Sequence, residues 1–202
     1  MLHEKIKQAT AHLHDQLEQK MFVGQIMDGS LTFEQYQTIL NVNYVTHFAV
    51  EDFLFSGLSD ELRQKLDIES RIKLPALLRD FEEINSAVGI SPKTTPSFID
   101  LNSDASILGA MYVLEGATLG GNVIAKRLKT NEQLLPYNLN YHYYQVYEDQ
   151  LGLKWRQFLE VLNAVPEAKH EAAIKNAVSL FAHMANTKIT TTTITLVPPE
   201  VD

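Results

Sequence analysis

Of the two histidines that flank the apolar stripe of the first helix, one has an acceptor at the spacing a metal ligand uses. Glu18 follows His14 by four residues, so on a helix the two share a face and the carboxylate reaches an imidazole N–H. Such an acceptor fixes the tautomer of a metal-binding histidine and raises its basicity. Lys7 and Thr10 extend the same flank by about a turn each. His12 and His14 lie on opposite sides of an apolar stripe centred near Leu13 and Ile6, so periodicity leaves both open as ligands. Their partners differ, because the residue four after His12 is Gln16. The second feature is a glycine cluster, Gly116, Gly120 and Gly121, within an apolar run from Leu108 to Leu128 that has a helical period. Each interior glycine costs about 1 kcal/mol against alanine, which suits a kink or another surface pressed on bare backbone. That surface is either a neighbouring helix, Gly116 and Gly120 forming a small-xxx-small pair, or a flat ligand.

The remaining chemistry is mostly excluded. Cysteine is absent, which removes disulfides, thiolate metal sites and cysteine nucleophiles, and fits a reducing compartment. A di-iron bundle needs two Glu-x-x-His motifs, and only Glu167-Ala-Lys-His170 has that form. Neither a phosphate-binding glycine loop nor a Gly-x-Ser-x-Gly elbow is present. A net charge of −8 argues against general affinity for nucleic acid or an anionic membrane. With no apolar leader at Met1–Lys5 and no run of about 18 apolar residues, the expected location is the cytoplasm.

The elements that must position these residues read as helices throughout. Leu2 to about Lys20 is amphipathic. Thr32 with Gln35 forms a capping box for a helix to about Phe55. A short helical stretch opens at Ser59, and another helix is predicted from Glu69 to Ala87. A loop over 89–97 leads to Ser103 or Asp104, either of which caps the glycine-bearing helix ending near Lys129. Pro136 to Tyr144 has no clear period, and the last helices run from Glu148 to Ala164 and from Glu167 to about Lys188. The expected architecture is one all-α domain over 1–188, a helical bundle with a glycine-kinked helix, and a flexible tail over 189–202.

An imidazole backed by a carboxylate on one helix and a bare backbone face on another would clasp a planar metal macrocycle, which points to haem. At these residues the sequence resembles the haem oxygenase family, in particular its bacterial biliverdin-producing branch. Ile6-Lys-Gln-Ala-Thr-Ala-His-Leu-His-Asp-Gln-Leu-Glu18 is similar to the family's proximal helix, and Tyr112 to Leu128 is similar to its distal helix. The resemblance implies His14 as the axial metal ligand, Glu18 as its acceptor and Lys7 as a propionate partner. Thr10 and Thr118 join them as haem-binding positions, and Gly116, Gly120, Gly121 and Asn122 form the distal catalytic face. Trp155 and Arg156, the latter with Lys154 as its alternative for a propionate, are expected near the haem edge, and Phe181 on the pocket wall. Where animal relatives carry a distal aspartate this chain has Ala117, so backbone carbonyls, Thr118, Asn122 or another helix would have to organise pocket water.

The implied activity is cleavage of haem, at once cofactor and substrate, to biliverdin, CO and Fe²⁺. It would use O₂ and electrons from an external donor such as a ferredoxin or reductase. Lys126, Arg127 and Lys129 could dock an acidic donor, although basic residues at a helix C-terminus also suit the dipole. The alternatives are a haem carrier or sensor that does not cleave the ring, and a same-fold relative acting on another ring system such as thiamine.

Overall fold

In a computed structural model, residues 1–86 and 94–187 are described. The expected tail, 189–202, and the first part of the expected loop lie outside them. The N-terminal apolar stripe does produce a helix, α1 (Leu2–Lys20), which buries Leu2, Ile6, Thr10 and Leu13. A short α2 (Val23–Asp28) follows. The Thr32/Gln35 capping box forms with both bonds in place and starts α3 (Phe33–Gly57). Next comes α4 (Asp60–Leu66).

The helix predicted from Glu69 instead begins at Leu74. Ile68–Arg71 is a 3₁₀ turn, and α5 runs over Leu74–Glu83. The reason is a buried carboxylate that periodicity does not register. Glu51 on α3 accepts the backbone N–H of Lys73 and of Leu74 at 3.1–3.2 Å, which caps α5 from outside.

Ser103, rather than Asp104, caps α6 (Asp104–Ala117) by accepting the Ser106 N–H. Asp104 is used elsewhere, accepting from the Ser59 amide at 2.8 Å. The glycine-bearing helix is interrupted rather than bent. After Ala117 the ladder shortens to Leu119 N–H to Gly116 O and Gly121 N–H to Thr118 O, and α7 (Gly121–Lys129) restarts as a separate helix. Three 3₁₀ turns then lead to α8 (Leu151–Asn163), and α9 (His170–Asn186) closes the chain after another. No strand occurs among the described residues, so the fold is all-α as expected.

Asp104–Lys129 is long and apolar enough, by length and composition, to cross a membrane. Here it supplies the centre of the core: Ile107, Leu108, Ala110, Met111 and Leu114 are buried against α3, α8 and α9. Its tightest neighbour is α9. A Cβ on Gly109 would sit 1.9 Å from the Ala173 carbonyl oxygen, so Gly109 is the glycine that lets two helix backbones touch. Asn176 on α9 donates to the Ser106 and Asp100 carbonyls at 2.9 and 2.7 Å. Because α9 packs against both α6 and α1, it holds those two helices at a fixed separation.

Candidate functional site

The space between α1 and α6 is a cleft of about 560 Å³, within the 300–1,000 Å³ range typical of small-molecule and cofactor sites. Successive turns of α1 form one wall, with Glu4, Lys7, Ala11 and His14 spaced by three or four residues. The opposite wall is the C-terminal part of α6: Tyr112, Val113, Gly116, Ala117, and Leu119 just beyond. Trp155 and Leu159 of α8 and Phe181 of α9 supply apolar surface between them.

His14 and His12, which periodicity could not separate, are placed differently. His14 lines the cleft and His12 does not. The His14 ring lies 6.1 Å from the Phe181 ring, centroid to centroid, and its Nδ1 is 3.7 Å from Glu18. Nε2 has no hydrogen-bond partner among the described residues. Lys7 lies on the rim, exposed, with no ion pair among the described residues. Thr10 is buried, its hydroxyl donating to the Ile6 carbonyl at 2.9 Å. The expected cleft residues His14, Lys7, Thr10, Gly116, Phe181 and Trp155 are therefore gathered in one place, with Glu18 behind His14 outside the lining.

The three glycines separate by role. The Cβ position of Gly116 has no atom within 4 Å. It faces open cleft, and a side chain there would project into it. Gly121 instead accommodates the Tyr144 backbone, whose carbonyl oxygen a Cβ would approach to 2.1 Å; this contact fixes where α7 restarts. Gly120 caps α7 and would meet only the Ile124 side chain, at 3.6 Å. Neither lines the cleft, and the small-xxx-small pair does not serve helix packing.

Thr118 and Asn122 also lie outside the lining. The buried Thr118 hydroxyl donates to the Glu115 carbonyl at 3.2 Å, and the exposed Asn122 amide donates to the Glu148 carbonyl at 3.1 Å. With Ala117 in the wall, the polar surface beside Gly116 on α6 is backbone. Arg156 is exposed and outside the cleft. The Lys154 ammonium points elsewhere, bonded to Asp67 at 2.8 Å and to the Ser70 hydroxyl, which removes it as a partner for a ligand in the cleft.

An ionic cluster unforeseen in the sequence lies behind the α6 wall. Glu115, next to Gly116, accepts from Arg71 and Lys73 at 2.7 Å each and from the Tyr147 hydroxyl at 2.9 Å. Both cations are fully buried. Arg71 also donates to the Leu66 and Lys154 carbonyls. Burial pushes the Glu115 carboxyl up, but Lys73 and Arg71 outweigh it and hold the group below its ordinary value. Alongside, His47 Nδ1 lies 2.5 Å from Glu51 and Nε2 lies 3.2 Å from the Tyr143 hydroxyl. Burial lowers the His47 pKa more than Glu51 raises it, so a neutral imidazole sits between an anion and a phenol. The available signal was Glu115 itself, a carboxylate in an otherwise apolar α6, a position that demands buried partners.

A second clamp is Asp80, which accepts the His142 and Tyr143 amides at 2.6 and 2.9 Å. Beside it Glu83 lies 3.0 Å from His142 Nε2. These bonds seat the turn that carries Tyr144 under Gly121.

An exposed imidazole and an open glycine position in one cleft, with apolar sides and Lys7 at the rim, fit an iron porphyrin with acidic substituents. The comparisons agree with that chemistry. The "Heme oxygenase" family model matches residues 1–190. A haem oxygenase of Xanthomonas campestris pv. campestris (strain 8004) is 34% identical over 116 residues, covering 56% of this chain and 65% of that relative. The match thus spans slightly less than two thirds of the relative's length. The crystal structures of NO- and CO-bound haem oxygenase from Neisseria meningitidis share the fold at a TM-score of 0.69 and 23% identity, over 91% of this chain and 88% of that one. With nearly its whole length matched by one family and its cleft built from the same two helices that carry the sequence motifs, this chain belongs to the haem oxygenase family.

Proposed function

We infer that the protein degrades haem, opening the ring to biliverdin with release of CO and Fe²⁺, using O₂ and electrons from an external donor. The observation that carries this reading is that His14 and Gly116 line one cleft, an exposed imidazole and, on the α6 wall, a position with no side chain and open space in front of it. Once bound, the iron porphyrin supplies the oxygen chemistry and is itself consumed.

The protein's own residues do the rest. His14 offers Nε2 to the metal, and Glu18 on the Nδ1 side favours the tautomer with Nε2 free. Lys7 attracts a ring carboxylate at the rim. Phe181, Trp155 and Leu159 exclude water from the ring's apolar edge. The Gly116 wall lets the ring approach bare backbone and leaves room on its far face. Gly120, Gly121 and Asn122 support this wall through the break between α6 and α7, and Thr118 ties its last turn to Glu115.

Electrons come from a partner docked near the cleft. Leu119 and Val123 are exposed at 41% and 57%, next to exposed Lys126, Arg127 and Lys129, so an acidic carrier such as a ferredoxin, or its reductase, is complementary. The absence of cysteine supports work in a reducing cytoplasm.

A carrier or sensor is the second reading. It is favoured by Ala117 together with Thr118 and Asn122, whose polar groups are committed to the Glu115 and Glu148 carbonyls, so that beside Gly116 only backbone is left to order water. Hemin titration followed by ascorbate, or by ferredoxin with its reductase, separates the two. The enzyme converts its Soret band into a biliverdin spectrum, whereas a carrier keeps a Soret band that does not decay. If no Soret shift occurs, both readings fail.

A further inference from the structure

The cleft holds two acidic side chains, Glu4 and Asp15, where a ligand with two carboxylates would not favour either; Asp15 neighbours His14, and Glu4 stands at the other end of the α1 wall. Glu4 lines the same wall as Lys7, one turn nearer the α1 N-terminus. Although exposed, it is anchored. Its Oε1 lies 2.9 Å from His3 Nε2, and His3 is held in turn by Asn163, whose Oδ1 accepts the His3 amide and contacts Nδ1, both at 3.1 Å. Across the cleft stands Tyr112, which lines it together with Glu4; its phenol is raised first by burial and then by the Glu4 charge. Lys7 is left as the basic side chain of the lining, about 10 Å along α1 from His14 at the usual helical rise.

These positions constrain how a haem can turn. Its two carboxylates sit on neighbouring pyrroles. With the metal over His14 and one carboxylate on Lys7, the other points either toward Glu4 and Tyr112 or away from them. The two seatings differ by one pyrrole position about the ring normal and present different meso carbons to Gly116. We propose that Glu4 is a specificity-determining residue of the cleft, repelling the second carboxylate from the Tyr112 end and so selecting one rotation of the ring. The proposal rests on the haem reading above and adds to it a negative charge acting against the alternative.

The test compares wild type with Glu4→Gln and Glu4→Lys. Each protein is titrated with hemin and with hemin dimethyl ester, and the ring-methyl resonances of the ferric cyanide complexes are recorded by NMR, a readout independent of turnover. Biliverdin isomers are then identified after ascorbate. Wild type is expected to give one dominant resonance set. Glu4→Gln should bind hemin about fivefold more tightly, as expected for removing one like charge at a half-solvated site, with no change for the ester, and should show a second resonance set and a second isomer. In Glu4→Lys the second set should dominate. Variants that keep the wild-type affinity, resonances and isomer overturn the proposal while leaving the haem reading intact, as does a wild type with two equal sets. A wild type that shows no Soret shift with hemin overturns both.

Discussion

At the residue scale, the cleft uses few polar side chains, and each has a separable consequence. His14→Ala should abolish the axial-ligand spectrum while leaving the melting temperature nearly unchanged, because the side chain is 57% exposed. His12→Ala should leave the spectrum as it is, since that residue faces away from the cleft. Optical spectra of the two hemin-loaded variants check this, and a lost ligand in His12→Ala would reverse the assignment. Glu115 belongs to stability rather than to the ligand. Glu115→Gln leaves Arg71 and Lys73 buried without their anion, which typically costs about 3 kcal/mol or more, measurable by chemical denaturation. A neutral result would mean the cluster adds nothing net over a polar amide.

At the scale of elements, two glycines of α6 should respond in opposite ways. Gly116→Leu adds a side chain where the wall is open, so the helix should persist while hemin binding is lost by at least about tenfold, a loss of about 1.4 kcal/mol. Gly109→Ala forces a methyl into the Ala173 carbonyl and should destabilise by about 3 kcal/mol without touching the cleft. Titration and denaturation of both variants form the check; Gly116→Leu binding hemin at wild-type strength would place the ligand elsewhere.

These glycines also show where sequence reasoning stops. The cost of interior glycines was visible, as were α1, the Thr32 capping box and the partner that distinguishes His14 from His12. Which neighbour each glycine serves was not, because the Ala173 and Tyr144 carbonyls come from segments distant in the chain. The start of α5 was illegible for the same reason: Glu51, more than twenty residues away, caps it. Gly109 stands in the same apolar run, alone in its turn, with no second glycine to mark it.

For the whole molecule, the buried ion pairs predict how stability follows pH. His47 titrates below its ordinary 6.5 because burial disfavours its charged form, so its contribution is present above 6.5 and lost as pH falls. Glu51 and Glu115 titrate below their ordinary 4.5: burial raises both, but the contact with His47 and the Leu74 and Lys73 amides outweigh it at Glu51, and Lys73 and Arg71 outweigh it at Glu115; their contribution is present above 4.5 and lost on further acidification. Asp80, pushed up to about 6 by burial, acts with the opposite sign: its contribution is present below 3.8 and lost as pH rises through about 6. Melting temperature should therefore decline modestly below pH 6.5 and steeply below 4.5, and Asp80→Asn should steepen the part between 6 and 4. A profile flat down to pH 4 would contradict the placement of these groups. The α6–α9 and α1–α9 contacts that fix the cleft width lie in the core containing Leu108, Leu114 and Phe181, so the binding site and the fold should be lost together on unfolding.

The most direct measurement is a crystal structure of the protein loaded with hemin. The account predicts iron bound to Nε2 of His14, the ring lying between α1 and α6 with its far face over Gly116, and a carboxylate at Lys7. Iron ligated from any other segment, or a ring bound outside this cleft, would contradict it.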